Sequence, residues 1–159
     1  MTPIILVDEL MKFISPVVSE FVLDSNVPGV KKAPQVVSGY LKEKKSGQQQ
    51  NPPDFPYVIV RYLEDEDNGE QNNASVRIVA GTYSEDEQNG WRDAMNVTIR
   101  IKQALLEQMF IGGAFKVEFP VKTELPEEQL YPEWVAMMTL NVTMPRTQEE
   151  GGYLKNVFS

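Results

Sequence analysis

The chain opens with apolar residues spaced three or four apart, which is the period of an α-helix facing a core. Thr2 can cap this helix and Pro3 suits its first turn. Pro16 lacks an N–H and is expected to kink or divide it, and the stretch DSNVPG at 24–29 is expected to end it. The apolar stripe consists of Val7, Met11, Ile14, Val18 and Phe21.

The next segment has less regular patterning. PQVVSGYL at 34–41 predicts a short edge strand, and KEKKSGQQQNPP at 42–53 predicts a mobile loop. The loop's basic cluster is either a solvated surface, which base rates favour, or a contact for phosphate or an acidic partner. The cluster consists of Lys42, Lys44 and Lys45.

Two alternating apolar runs, 57–63 and 75–82, predict a β-hairpin. In even register, one face is wholly apolar and should point into the core. That face comprises Val58, Val60, Tyr62, Val76, Ile78 and Ala80, and the mixed opposite face comprises Ile59, Arg61, Arg77 and Val79. Because directly opposed arginines repel each other, we expect Arg61 and Arg77 to be offset diagonally or to have carboxylate partners.

The acidic tract EDEDNGEQNNAS at 64–75 separates the two runs and is expected to form a long, mobile hairpin tip that orders against a partner. A calcium loop would place Glu64 at its first position and Gly69 at its sixth, but Ser75 would then occupy the twelfth position in place of a bidentate Glu. The tip is therefore the better hypothesis. Its proposed partner-contacting residues are Asp65, Glu66, Asp67, Asn68, Gly69 and Glu70.

A second helix is predicted from a capping box, Ser84 with Glu87 three residues on, to about Met109, with Gly112 and Gly113 as its stop. The expected buried stripe is Trp91, Ala94, Met95, Thr98, Ile101 and Leu105, continued by Leu106 and Met109, and the polar stripe is Arg92, Asn96, Arg100, Gln103 and Glu107.

Two further strands follow, AFKVEF at 114–119 and WVAMMTLNVTM at 134–144, with a Pro-rich turn between them. Their expected inward sets are Phe115, Val117 and Phe119, and Trp134, Ala136, Met138, Leu140, Val142 and Met144. The predicted fold is α+β: a single, mostly antiparallel sheet with helices on one face, in the order α-(β)-β-β-α-β-β. Residues 1–146 form one domain. Residues 147–159 form a flexible tail with an apolar patch after Gly151 and Gly152, expected to dock on an adjacent subunit.

Composition points away from catalysis. The chain of 159 residues has no cysteine and no histidine, the usual nucleophile, general base and metal ligands. A formal net charge of −8 disfavours nonspecific binding to nucleic acid. Carboxylates that could pair for acid–base work all lie in polar turns, where they are normally solvated; they are Glu85, Asp86, Glu127 and Glu128. We therefore predict no enzyme activity, no cofactor, no metal and no membrane span.

Three stretches together resemble tail-terminator and tail-completion proteins of long-tailed bacteriophages and prophages: PDFPYVIVRYLE, VRIVAGTYSEDEQNGWRDAMNVTIRIKQALLEQ and GGAFKVEFPVKTELPEEQLYPEWVAMMTLNVTMPR. The resemblance covers about residues 54–146 and is most specific at GTYSEDEQNGWRD, 81–93. It implies a ring of subunits, commonly a hexamer, on the last ring of the tail tube. The ring stops tube growth and offers a surface to the head–tail connector, and genomic DNA passes through its lumen without specific binding. It also implies a place in the virion after assembly in the bacterial host cytoplasm.

Two surfaces are predicted as subunit interfaces, the mixed hairpin face and the polar stripe of the second helix. Their residues are Ile59, Arg61, Arg77 and Val79, and Arg92, Asn96 and Arg100. Two alternatives stay open: a head-completion or neck protein, and a non-enzymatic prophage accessory domain that binds another protein.

Overall fold

A computed structural model of the protein describes residues 2–41 and 54–145. In this part of the chain, two α-helices, α1 (Pro3–Val18) and α2 (Trp91–Gln108), pack on one face of a six-stranded sheet. The strands are β1 (Leu23–Asp24), β2 (Lys31–Lys32), β3 (Gln35–Ser38), β4 (Tyr57–Asp67), β5 (Asn72–Tyr83), β6 (Phe110–Ile111), β7 (Phe115–Glu124) and β8 (Glu133–Met144). The six-stranded sheet has the order β3-β4-β5-β8-β7-β6, while β1 and β2 form a separate ribbon. The predicted α+β class is confirmed.

The predicted edge strand at PQVVSGYL is confirmed as β3, which runs parallel to β4, whereas the other pairings in the sheet are antiparallel. Gly39 then turns the chain with φ +73°, a conformation that glycine adopts without steric cost. The loop at 42–53, with its three lysines, and the tail at 147–159 lie outside the described residues.

The hairpin register is confirmed, with Val60 opposite Ile78 and the predicted apolar face in the core, except that Tyr62 at its end is 41% exposed. Of the two arrangements expected for the arginines, the diagonal offset is wrong, because Arg61 lies directly opposite Arg77. The prediction of a long acidic loop is also wrong. Strand β4 continues through Asp67, which pairs with Asn72, so the tip between the strands is only residues 68–71.

The helix α1 ends earlier than predicted. It stops at Val18, and the stretch at 24–29 instead contributes to β1 and the turn after it. Pro16 lies in the last turn of the helix and does not divide it. Pro16 has no N–H to donate to the carbonyl four residues back, and the helix ends two residues after it.

The prediction of a capping box at the start of α2 is wrong. The Ser84 N–H donates to the Pro132 carbonyl at 2.9 Å, so it cannot pair with Glu87. Asp86 organises the turn instead, its Oδ1 accepting from the N–H groups of Gln88 and Asn89. The helix therefore begins at Trp91, after an N-cap Gly90 that makes no side-chain capping bond.

The alternating pattern of β7 predicted the burial of one residue incorrectly. Phe115 and Val117 are buried, but Phe119 is 70% exposed. The pairs Glu118↔Asn141 and Lys122↔Thr139 show that β7 advances four residues while β8 advances two. Such a bulge breaks the inward–outward alternation, which turns Phe119 out of the core. The inward set of β8, from Trp134 to Met144, is confirmed as buried.

The main core lies between the helices and the inner face of the sheet. Leu6 and Leu10 from α1 meet Val97 and Ile101 from α2 over the strands. A second, smaller apolar cluster lies apart from this core. In the described residues, neither helix combines the length and apolar character that crossing a bilayer requires.

Candidate assembly surfaces

The mixed face of the hairpin is less available to a partner than its sequence indicated. Ile59 and Val79 are opposite each other and are both buried, packed in the second apolar cluster with Phe55 and Tyr57. They therefore stabilise this chain itself and cannot contact a neighbour without rearrangement. Their predicted role as exposed interface residues does not fit the structure.

The two arginines of this face differ in their surroundings. The Arg61 Nε donates to the Gly39 carbonyl at 2.9 Å, and its guanidinium lies 4.5 Å from the Tyr40 ring centroid, which draws it toward the β3 edge. The Arg77 Nε is buried and has no hydrogen-bond partner in the described part of the chain. Leaving such a donor unsatisfied costs about 1–3 kcal/mol, but a buried atom cannot reach another subunit directly, so the interface role of Arg77 stays a prediction.

The hairpin tip is organised by its own side chains. The Asn68 Oδ1 accepts from the N–H groups of Glu70 and Gln71, and the Asp67 Oδ1 accepts from the Gly69 N–H at 3.0 Å. Gly69 has φ +91°, which explains a glycine at this position. All six proposed partner-contacting residues are exposed, with 65–67 in β4 and 68–70 in the tip. Their partner role stays a prediction.

Metal binding finds no support at this tip. Across residues 2–41 and 54–145, no three side chains among Asp, Glu, His and Cys are grouped closely enough to hold a metal ion.

Two residues of the polar stripe of α2 face outward as predicted, because Arg92 and Asn96 are both exposed. The Arg92 guanidinium lies 5.4 Å from the Trp91 ring centroid. The Arg100 Nε meets the Glu20 Oε1 at 3.3 Å, joining α2 to the segment after α1. An exposed pair of this kind contributes at most about 1 kcal/mol, so Arg100 can exchange this partner for one on another molecule.

Sequence reasoning missed an exposed aromatic patch at one edge of the sheet. Phe110 on β6 and Phe119 on β7 are 48% and 70% exposed, and we call this pair the β7 patch. Charged side chains flank it along β7, including Lys116 and Glu118, which form an ion pair at 3.5 Å. Aromatic residues are enriched at protein interfaces relative to the rest of the surface. Pro120 after Phe119 was the only available signal of the bulge.

A second apolar patch lies at the opposite edge. Ile4 and Tyr40 are 74% and 75% exposed, and Tyr62 is also exposed. We call these three residues the β3 patch. They line a groove of about 620 Å³ between the start of α1, the end of β3 and the middle of β4, with Val7 and Val60 also in its wall. Its volume lies within the range of about 300–1,000 Å³ found for ligand sites.

Asp93, in the first turn of α2, gives a pH-dependent prediction. Burial raises the pKa of the Asp93 carboxyl, and the nearby Asp24 carboxylate raises it further. When the folded-state pKa of a carboxyl is raised, the folded protein becomes less stable as the pH rises from about 4 through that pKa. We therefore expect the stability of Asp93→Asn, measured relative to that of the wild type, to increase from about pH 3 to about pH 7. Urea unfolding at both pH values checks this, with exposed Glu107→Gln as the control; a relative loss at higher pH would contradict it.

Comparisons with known proteins add information on the fold. No protein-family model matches the sequence, and a search of curated proteins finds no similar sequence. Solved structures do match. One of them superposes with a TM-score of 0.50 at 12% sequence identity, covering 92% of this chain and 97% of the other. At this identity, the similarity concerns the fold alone.

Proposed function

We propose that the chain is a structural subunit that assembles head to tail with copies of itself. The observation that carries this proposal is the presence of two unlike apolar patches at opposite edges of one sheet. The β3 patch lies around the end of β3, the outermost strand on one side, with its residues on α1, after β3 and on β4. The β7 patch lies on the last two strands of the other side. Large apolar side chains exposed in this way commonly mark a protein-binding surface.

Unlike patches favour a particular kind of assembly. A two-fold dimer pairs a patch with itself, whereas contact between two different patches repeats from one copy to the next. Such a series closes into a ring if the rotation between copies is suitable. The exposed side chains of Arg92 and Asn96 are available for polar contacts with a neighbouring copy.

The resemblance to tail-terminator proteins gives the ring its proposed biological role. The subunits form a ring, commonly a hexamer, on the last ring of the tail tube, end tube growth and join the tail to the head–tail connector. The partners are then the chain itself, the tube protein and the connector, in a virion assembled in the bacterial host cytoplasm. The subunit performs this role without catalysis, cofactor or metal.

Charge is compatible with passage of genomic DNA. The chain carries a formal net charge of −8, and exposed carboxylates such as Glu64, Glu66 and Glu70 concentrate on the hairpin. Phosphates would find few cations at such a surface to hold them. If the hairpin lines the lumen, DNA can pass without being retained.

One observation favours a second candidate. The groove beside the β3 patch could hold a helix or strand of another protein, which suits a non-enzymatic prophage accessory domain. A head-completion or neck protein is the other alternative, since such a protein also binds neighbours in the virion.

Deleting the coding sequence from an inducible prophage tests the proposed role. We expect separated heads and tails, with tubes that grow past their normal length, because nothing ends polymerisation. Electron microscopy of the lysate measures both outcomes, and a plasmid copy should restore joined particles. Tails of normal length beside heads that have lost their DNA would instead indicate head completion, and normal infectious particles would refute both roles.

A further inference from the structure

The groove at the β3 patch has three large, mainly apolar side chains on its rim, each at least 41% exposed in the described part of the chain. Ile4 lies on α1, Tyr40 follows β3 and Tyr62 lies on β4, so the groove crosses three elements. Its lining is mainly apolar, with Asp8 and Arg61 as its charged members. An occupant should therefore present several apolar side chains on one face.

The chain itself supplies a segment of this character. After Pro145, the sequence RTQEEGGYLKNVFS carries apolar residues only in its second half. Their spacing of one, four and five residues places them on one face of a helical turn, as in peptides that bind apolar grooves. They are Tyr153, Leu154, Val157 and Phe158.

The chain leaves β8 beside the hairpin tip, where Met144 pairs with Asn72, while the groove lies further along the hairpin at Val60–Tyr62. Tyr62 pairs with Val76, which pairs with Leu140, and Met144 is four residues further along β8. At roughly 3.3 Å per residue and about 4.8 Å per strand spacing, Met144 is about 16 Å from Tyr62. Residues 146–152 can span up to about 23 Å when extended. The apolar half of the segment can therefore reach the groove of its own chain.

We propose that residues 153–158 occupy this groove in the same polypeptide. A short connection gives the segment an effective concentration in the millimolar range, which favours its own groove over that of another copy. Because the groove rim is also the β3 patch, the segment and a neighbouring copy compete for it. In the proposed ring, the segment is displaced when the next subunit binds, which restrains assembly of free subunits.

A single spin label tests the docking without requiring self-association. The chain has no cysteine, so Lys155→Cys provides one attachment point outside the apolar face. In dilute full-length protein enriched in ¹⁵N, we expect the amide signals of Gly39, Tyr40 and Tyr62 to lose most of their intensity. Signals at the start of β8, such as that of Glu133 about 25 Å from Tyr62, should be much less affected.

A groove variant supplies the matched control. Ile4→Asp places a charge on the rim at a side chain that is already 74% exposed, so the core is left intact. It should restore the lost signals. Leu130→Asp changes an 80% exposed leucine in the loop before β8 and should restore nothing.

Three results would overturn the proposal. The first is full intensity at the groove in the spin-labelled chain, and the second is a loss that Ile4→Asp leaves unchanged. The third is a loss that arises only between molecules, seen when ¹⁵N protein without a spin label is mixed with spin-labelled protein of natural isotope abundance. That result would assign the segment to a second copy. None of these results bears on whether the chain assembles, so the proposed function can stand or fail separately.

Discussion

Replacing Phe119 by Asp is expected to weaken self-association at least about 30-fold, because central aromatic residues of an interface commonly contribute about 2 kcal/mol or more. Phe119 is 70% exposed in the single chain, so its replacement removes no core packing. The new carboxylate also meets an apolar partner surface, where an unpaired charge is costly. Sedimentation equilibrium over a range of protein concentrations measures the change.

The control for this prediction is an exposed leucine on the same chain. Leu130 lies outside both patches, and Leu130→Asp introduces the same charge. We expect it to change the association constant less than about threefold, as most residues outside a hot spot do. Equal effects of Phe119→Asp and Leu130→Asp would show that added charge, and not the β7 patch, controls association.

Gly90→Ala is expected to cause a large loss of stability. A methyl group at Gly90 would lie 2.4 Å from the Trp134 Nε1 and 2.6 Å from the backbone carbonyl oxygen of Asp86. Trp134 cannot move freely, since its Nε1 donates to the Ser84 carbonyl at 2.9 Å. We expect a loss of about 3 kcal/mol in the free energy of unfolding, at the upper end for overpacking. That corresponds to a fall of roughly 6–12 °C in melting temperature for a chain of this size.

Gly113→Ala separates crowding from backbone strain. Gly113 has φ +77°, and a methyl group added there would have no atom within 4 Å, so an alanine meets strain and open space. We expect it to cost about 1 kcal/mol. Urea unfolding of both variants provides the comparison. If Gly90→Ala cost no more than Gly113→Ala, the close contact between the start of α2 and β8 would not be a constraint on this fold.

Periodicity predicted the elements whose burial is regular. The helix α2 and the strand β8 each bury one face continuously, so their apolar spacing was visible in the sequence. The hairpin register was predictable for the same reason, because a one-residue slip would have put the apolar face in solvent. The presence of these elements and the faces they bury required no information beyond local sequence.

Features set by contacts distant in sequence were not predictable. Polar residues 64–67 continue β4 because the neighbouring strand β5 pairs with them, although their composition indicates a loop. The start of α2 depends on a bond from Ser84 to Pro132, and the exposure of Phe119 depends on a bulge against β8. Local propensity contains none of these interactions.

Predictions for the surface were likewise correct where local spacing decides exposure and wrong where distant contacts decide it. The outward stripe of α2 was predicted from its helical spacing, and Arg92 and Asn96 are exposed. By contrast, Ile59 and Val79 were predicted as interface residues although they are buried, because a second cluster around Phe55 covers them. The β3 patch could not be inferred, since its residues come from three separate elements.

Mixing two variants tests head-to-tail assembly most directly. Phe119→Asp leaves the β3 patch intact, and Ile4→Asp leaves the β7 patch intact. Each variant alone should remain a monomer at concentrations where the wild type assembles, while an equimolar mixture retains one working contact and should form two-chain species only. Native mass spectrometry measures this. Pairing of either variant with itself, growth of the mixture beyond two chains, or a mixture that stays monomeric would contradict the account.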